Sequence, residues 1–297
     1  MRLMRLKFTK LFFLSLVIIP VNVTIAACQQ RGGQAQSPAS NGVSDRDRAQ
    51  DISSFFRDTD GAIVIYDLRR DRYLRHNEAR CRQRFSPKST FKIPNSLIGL
   101  ETGVIRDADF VIRWDRKKYP SSEWGTGYPF EHWGQDQPLR SAFRHSVLWY
   151  YRELATRVGA SRMKDFVRKI EYGNQNAAGR VNNFWLDGTL AISADEQVEF
   201  LRRFYAGQLP VSRRSRDIVK DMLVMEETPA YKLSAKTGGG SRGDGKLIGW
   251  FVGYVERGAD VYFFALNIDG ASYAAIRDRR IQLTRQILAS LGHLSPE

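Results

Sequence analysis

Strand-type runs lie at the two ends of this chain and are missing from its middle, and that segregation restricts the fold more than any single motif. Gly61-Ala62-Ile63-Val64-Ile65-Tyr66-Asp67 is a β-type run, Leu68 to Arg72 reads as a turn, and Tyr73-Leu74 reads as the returning strand of a hairpin. Strand signals return only at Tyr231–Thr237, Leu247–Glu256 and Val261–Ile268, ahead of a closing helix from about Ala274 to Leu291. Between about residues 104 and 205 the pattern is helical and loop-rich, with an aromatic connection through Trp114, Trp124, Tyr128 and Trp133 and a helix beginning near Ser146. The order hairpin, helical block, three strands, terminal helix predicts an α+β architecture. An antiparallel sheet is flanked by helices, and an all-helical subdomain at about 104–205 is inserted between its strands.

The first 27 residues stand apart from that pattern. Arg2, Arg5, Lys7 and Lys10 precede an apolar run from Leu11 to Ile19 that is too short to span a bilayer comfortably, which is the form of an export signal peptide. It ends in Ile25-Ala26-Ala27-Cys28, which resembles a bacterial lipobox and makes Cys28 the candidate lipidated residue; conventional cleavage near the two alanines is the alternative. Residues 28–50, rich in Gln, Gly, Ser and Ala, read as a flexible tether, and 51–297 as a single catalytic domain. The other cysteine, Cys81, is then a free thiol. The formal charge of +14 falls to about +10 once the four basic residues of the leader are removed. The arginines are scattered and interleaved with acids, without a nucleic-acid motif, so the expectation is a solvated basic surface with neither a nucleic-acid partner nor an obligate protein partner.

Two S-x-x-K tetrads occur, Ser89-Thr90-Phe91-Lys92 and Ser161-Arg162-Met163-Lys164, where roughly one is expected by chance in a chain this long. On a helix, the serine and lysine of such a tetrad lie one turn apart, where the amine can take the hydroxyl proton. Ser86-Pro87-Lys88 leads into a helix with apolar positions at Phe91, Ile93, Leu97, Ile98 and Leu100, Pro94 in its first turn and Gly103 as its stop. Ser161, by contrast, follows Gly159-Ala160 and opens an amphipathic segment, the pattern of an N-cap serine.

Lys236-Thr237-Gly238 sits at the end of a strand run, immediately before Gly239-Gly240. A cation beside closely approachable backbone N–H groups suits acyl transfer, because the N–H groups can hold an oxyanion. A Gly-rich hairpin turn with a surface lysine is the plain alternative. The histidines His76, His132, His145 and His293 are isolated and carry no metal-ligand spacing. His145 adjoins Ser146, but neighbours on a helix face about 100° apart, which disfavours it as a base.

S-x-x-K followed by K-T-G, with Ser146-Val147-Leu148, Tyr172-Gly173-Asn174 and Phe184-Trp185-Leu186-Asp187-Gly188 between them, resembles the class D (oxacillinase-type) serine β-lactamases across roughly residues 50 to 291. The resemblance implies a β-lactam substrate, with Ser89 as the acylated nucleophile and Lys92 as general base in its N6-carboxylated form, made with carbon dioxide or bicarbonate and needing no other cofactor. It implies Phe91, Val147, Leu148, Trp185 and Leu186 as the apolar wall around Lys92, with the Trp185 indole N–H donating to the carbamate. It further implies Ser146 as proton relay, Lys236 as its polarising partner, and the Ser89 and Gly239 N–H groups as oxyanion donors. Thr237, Gly238, Gly239, Val147 and Leu148 would line the substrate site, and Arg280, or alternatively Arg277, would bind the substrate carboxylate. Leu148 departs from the valine usual in that family, and Arg116 from its glycine. A non-hydrolysing β-lactam sensor and a penicillin-binding transpeptidase or carboxypeptidase carry related motifs; exported, periplasmic hydrolysis is the expectation.

Overall fold

The computed structural model describes residues 51–295; the signal segment, the tether and Cys28 lie outside the described residues. A six-stranded antiparallel sheet runs in the order β2 (Arg72–His76), β1 (Gly61–Asp67), β8 (Asp260–Gly270), β7 (Leu247–Arg257), β6 (Lys232–Ser241), β5 (Val224–Glu227). The first and last strands in sequence are therefore neighbours, the second and third positions of the sheet, with Gly61 opposite Ile268 and Asp67 opposite Tyr262.

Side chains alternate between the faces, as pleating requires. Ala62, Val64, Tyr66, Val252, Tyr254, Phe263 and Ala265 enter one core; Ile63, Ile65, Leu233, Phe251, Val255, Phe264 and Leu266 enter the other. Helix α6 (Ala194–Ala206) lies on the first face, while Ile52, Phe56, α8 (Tyr273–Arg277) and α9 (Arg279–Ser290) cover the second. Because both faces are covered, β7 and β8 are nearly unbroken apolar runs. On α9 the buried Leu283, Ile287 and Leu288 recur at helical spacing, each contributing about 1.5–3 kcal/mol by burial.

The first core continues into the helices between the strands: α1 (Glu78–Arg82), α2 (Lys92–Glu101), α3 (Leu139–Arg144), α4 (Leu148–Val158), α5 (Ala160–Lys169) and α7 (Arg213–Leu223). α2 packs against α4 and α7, and every residue from Lys92 to Leu100 on it is buried. A helix buried all round needs its polar side chains satisfied locally, and Ser96 Oγ donates to Lys92 O at 2.7 Å.

Several elements differ from the expectation read off the sequence. The inserted block holds a short ladder, β3 (Val111–Ile112) with β4 (Gln137–Pro138), and its last helix, α6, packs on β1 and β8. β5 was not foreseen, because Val-Met-Glu-Glu has no apolar run; it is an edge strand with half its side chains in water. β6 continues through Gly238–Ser241 in register with β7 and does not end at Thr237. The closing helix is broken at Asp278 into α8 and α9. Cys81 is a buried free thiol whose pKa burial pushes up to about 12, so it is unreactive. Among the described residues no helix is long and apolar enough to cross a membrane.

Candidate active site

Ser89 is not inside a regular α-helix. It lies in a single 3₁₀ turn, Lys88–Phe91, that feeds directly into α2 at Lys92. This placement leaves Ser89 partly exposed while Lys92, the first residue of the helix, is only 1% exposed. Lys92 Nζ donates to Ser89 Oγ at 2.8 Å. Burial, with a smaller push from the Arg152 guanidinium, lowers the Lys92 amine from an ordinary 10.5 to about 7. A substantial neutral fraction is thus present near neutrality, and a neutral amine at this distance can accept the hydroxyl proton through the same contact. The Tyr151 ring lies 5.2 Å from Nζ, close enough to support the ammonium when it forms.

The second serine sits in a turn between α3 and α4. The helix expected near Ser146 begins at Leu148, and Ser146 itself has φ 56, a left-handed conformation uncommon for serine. That twist directs Ser146 Oγ to Lys236 Nζ, which donates to it at 2.7 Å and to Thr237 O at 3.1 Å. Lys236 is buried; desolvation first, then repulsion from Lys92 and Arg280, holds its ammonium well below the usual lysine range. Two lysines, each with a depressed pKa and each on a serine hydroxyl, form the chemical centre of the site.

β6 brings Lys236 there and also sets the glycines. A Cβ on Gly238 would lie 2.9 Å from Pro87 O and 3.2 Å from Thr90 N, so only glycine lets the strand press against the turn that carries Ser89. A Cβ on Gly239 would lie 2.7 Å from Arg280 Nη1. Arg280, 4% exposed on α9, donates to Gly238 O and has a buried Nε without a partner among the described residues. Arg277 is instead paired with Asp278 at 2.7 Å on a half-exposed surface, so of the two arginines only Arg280 adjoins the glycines. Thr237 is half-buried beside them.

The remaining motifs act as supports. Asn174 donates to Thr189 O at 2.9 Å and accepts from Ala191 N at 3.1 Å, holding the segment that contains Trp185. Gly173 has φ 54, and a Cβ there would be 2.3 Å from Ala191 O. Tyr172 donates to Gln197 Oε1 at 3.3 Å, and Gln197 donates to Thr90 Oγ1 at 2.8 Å, which links the Tyr-Gly-Asn element to the turn that carries Ser89. Phe91 stacks on Trp185 at 5.5 Å; both, with Val147, are fully buried, whereas Leu148 and Leu186 are half-exposed at the rim of the apolar wall. Among the described residues Trp185 Nε1 is buried without a partner.

Sequence reasoning missed Tyr151, Gln197, Arg152 and Lys88, none of which carries a motif; only Tyr151, a buried position on the α4 helix that packs on α2, gave a signal of any kind. It also misplaced Ser161. α5 starts at Ala160, so Ser161 lies within its first turn and makes no cap bond, because Gly159, with φ 85, ends one helix and begins the next. Ser161 and Lys164 are both exposed. The His145 ring lies against His132 at 3.9 Å, tilted by 32°, while Ser146 Oγ is bonded by Lys236. Among the described residues no three His, Cys, Asp or Glu side chains are placed to hold a metal ion.

Comparison with known proteins adds an independent line. Residues 39–289 match the penicillin binding protein transpeptidase domain. The probable β-lactamase YbxI of Bacillus subtilis is 38% identical over 224 residues, 75% of this chain and 80% of that protein. β-Lactamase OXA-48 of Klebsiella pneumoniae is 41% identical over 209 residues, 70% of this chain and 75% of that protein. The crystal structure of the class D β-lactamase YbXI from Nostoc superposes with a TM-score of 0.75 at 40% identity, covering 82% of this chain and 99% of that one.

Proposed function

Since the chain belongs to the class D serine β-lactamases, we propose that it hydrolyses β-lactam antibiotics through a covalent acyl-enzyme at Ser89 and thereby gives resistance to them. The observation that carries this reading is the 2.8 Å contact between Ser89 Oγ and the buried Lys92 amine, whose pKa lies at about 7. Ser89 Oγ attacks the lactam carbonyl carbon, a Ser–O–C bond forms, and the ring C–N bond breaks. The oxyanion rests between the backbone N–H groups of Ser89 and Gly239. Ser146, polarised by Lys236, delivers the proton to the leaving nitrogen. Water then attacks the ester and restores Ser89. Thr237 and the N–H groups of Arg280 not used on Gly238 O hold the substrate carboxylate.

The surroundings of Lys92 fit a carbamate. The amine is neutral enough to combine with carbon dioxide, releasing one proton, and the unpartnered Trp185 Nε1 lies buried in the apolar wall as a ready donor. When present, that added carboxylate supplies the general base for both acylation and deacylation. Phe91, Val147 and Trp185 keep the site dry, with Leu148 and Leu186 at its edge. We further read the first 27 residues as an export signal, Cys28 as a lipid anchor in the periplasm, and 28–50 as its tether; incorporation of labelled palmitate, lost in Cys28→Ala, tests the anchor.

Purified protein is incubated with a chromogenic cephalosporin, with and without bicarbonate, following acylation and product. Sustained turnover that rises with bicarbonate is the expected result. A single stoichiometric burst would identify a sensor, and no reaction at all would overturn the proposal.

A further inference from the structure

Lys88, the residue before Ser89, is a buried lysine that the chemistry above does not use. It is 5% exposed and has φ 52, a conformation that costs a side-chain-bearing residue free energy. Burial lowers its pKa, with Asp187 opposing. Among the described residues no carboxylate comes within 4 Å of its ammonium, Asp187 acting only at longer range; its Nζ donates to Leu186 O at 2.5 Å. The other cations lining the same cavity of about 400 Å³ are already paired, Arg84 with Glu196 and Arg242 with Asp269. A half-compensated buried charge on a strained backbone is a poor way to stabilise a fold, so its value lies in what it holds.

What it holds is the Trp185 segment. Lys88 N donates to Trp185 O at 3.2 Å, Ser86 Oγ donates to the same oxygen at 2.8 Å, and Lys88 Nζ takes the next carbonyl, Leu186 O. Trp250 Nε1 in turn donates to Ser86 O at 3.0 Å, tying the donors to β7. The stem of Lys88 also runs beside β6, its Cδ 3.5 Å from where a Cβ of Gly240 would sit. Three donors from residues 86–88 thus fix two successive carbonyls of the segment whose indole N–H is buried and unpartnered.

We propose that Lys88 is a positioning residue: it clamps the Trp185–Leu186 backbone to the nucleophile turn so that Trp185 Nε1 is aimed at the group carried by Lys92. The proposal rests on the carbamate reading of Lys92, and the test separates the two. Carbon-dioxide-depleted wild type, Lys88→Met, Lys88→Arg and Lys92→Ala are titrated with ¹³C-bicarbonate, and the carbamate resonance is followed by NMR, with melting temperature recorded alongside. A resonance absent in Lys92→Ala assigns the signal to Lys92 and not to Lys88. Loss of a charge-assisted hydrogen bond predicts that Lys88→Met needs about tenfold more bicarbonate for half-filling, while Lys88→Arg, which keeps a donor, stays within about threefold of wild type. If Lys88→Met does not fold, Ser86→Ala carries the test, with an expected increase of about threefold. Half-filling in Lys88→Met, or in Ser86→Ala where that variant is used, at the wild-type bicarbonate concentration overturns the clamp. No resonance in wild type overturns the carbamate reading, and the clamp with it.

Discussion

Ser89-Thr90-Phe91-Lys92 and Ser161-Arg162-Met163-Lys164 have the same pattern, and the structure gives them opposite surroundings. In the first, Lys92 is fully buried with the Tyr151 ring 5.2 Å from its Nζ, touches its serine at 2.8 Å and has its pKa lowered to about 7. In the second, both ends of the tetrad face water on α5, and only Met163 enters the core. The pattern supplies a hydroxyl and an amine; removal of water makes one of them a base. That removal depends on parts of the chain far from the tetrad: Tyr151 lies beside Lys92, and Tyr172 and Trp185 pack on Phe91 within the tetrad.

The comparison can be broken most decisively at Ser89, the proposed nucleophile. Ser89→Ala should lower turnover by about 10⁴-fold or more and eliminate the acyl mass shift seen on incubation with a β-lactam; a retained mass shift would move the nucleophile elsewhere. Next in size is Lys92→Met, with a turnover loss of about 10²–10⁴-fold. The same change should stabilise the fold in carbon-dioxide-free buffer. The folded-state pKa of Lys92, about 7, lies below its ordinary 10.5, so between those pH values the unfolded chain binds more protons and wild-type stability rises with pH. The penalty is complete below pH 7, where Lys92→Met should gain on the order of a few kcal/mol by denaturant unfolding, and it should vanish as pH approaches 10.5. A gain independent of pH would refute the dry environment claimed for the amine. The smallest effect sharpens the contrast: Ser161→Ala and Lys164→Ala should leave turnover unchanged and stability within about 0.5 kcal/mol.

The two strand clusters were legible because their apolar runs are long, and the helices because buried positions recur at helical spacing. β5 was hidden by its charged, half-solvated sequence, and the extent of β6 by glycines that resemble a turn in isolation but are required by the approach of Pro87 and Thr90. Within the site, Ser89, Lys92, Ser146 and Lys236 were nameable from motifs, yet their meeting is a matter of the fold: the φ of 56 at Ser146 and the register of β6 decide it. Arg280 was preferred over Arg277 from helix spacing alone; its approach to Gly238 and Gly239, and the pairing of Arg277 with Asp278, are visible only in the fold. Lys88 carried no signal, since a lysine beside a motif reads as surface until its burial is seen.

The pairing of β1 with β8 sets a timetable for folding. Gly61 meets Ile268 only after roughly 200 intervening residues have been made and collapsed, so the β1–β2 hairpin waits with its inner edge unpaired, the most aggregation-exposed state of such a chain. Local helices such as α4 and α5 form without that delay. A nascent chain ending before Asp260 lacks a central strand, since β8 sends Phe263 and Ala265 into one core and Phe264 and Leu266 into the other. Ser89 and Lys92 lie in the first third of the sequence, yet the sheet whose strands β6 and β7 stand beside their turn is complete only when β8 has been made.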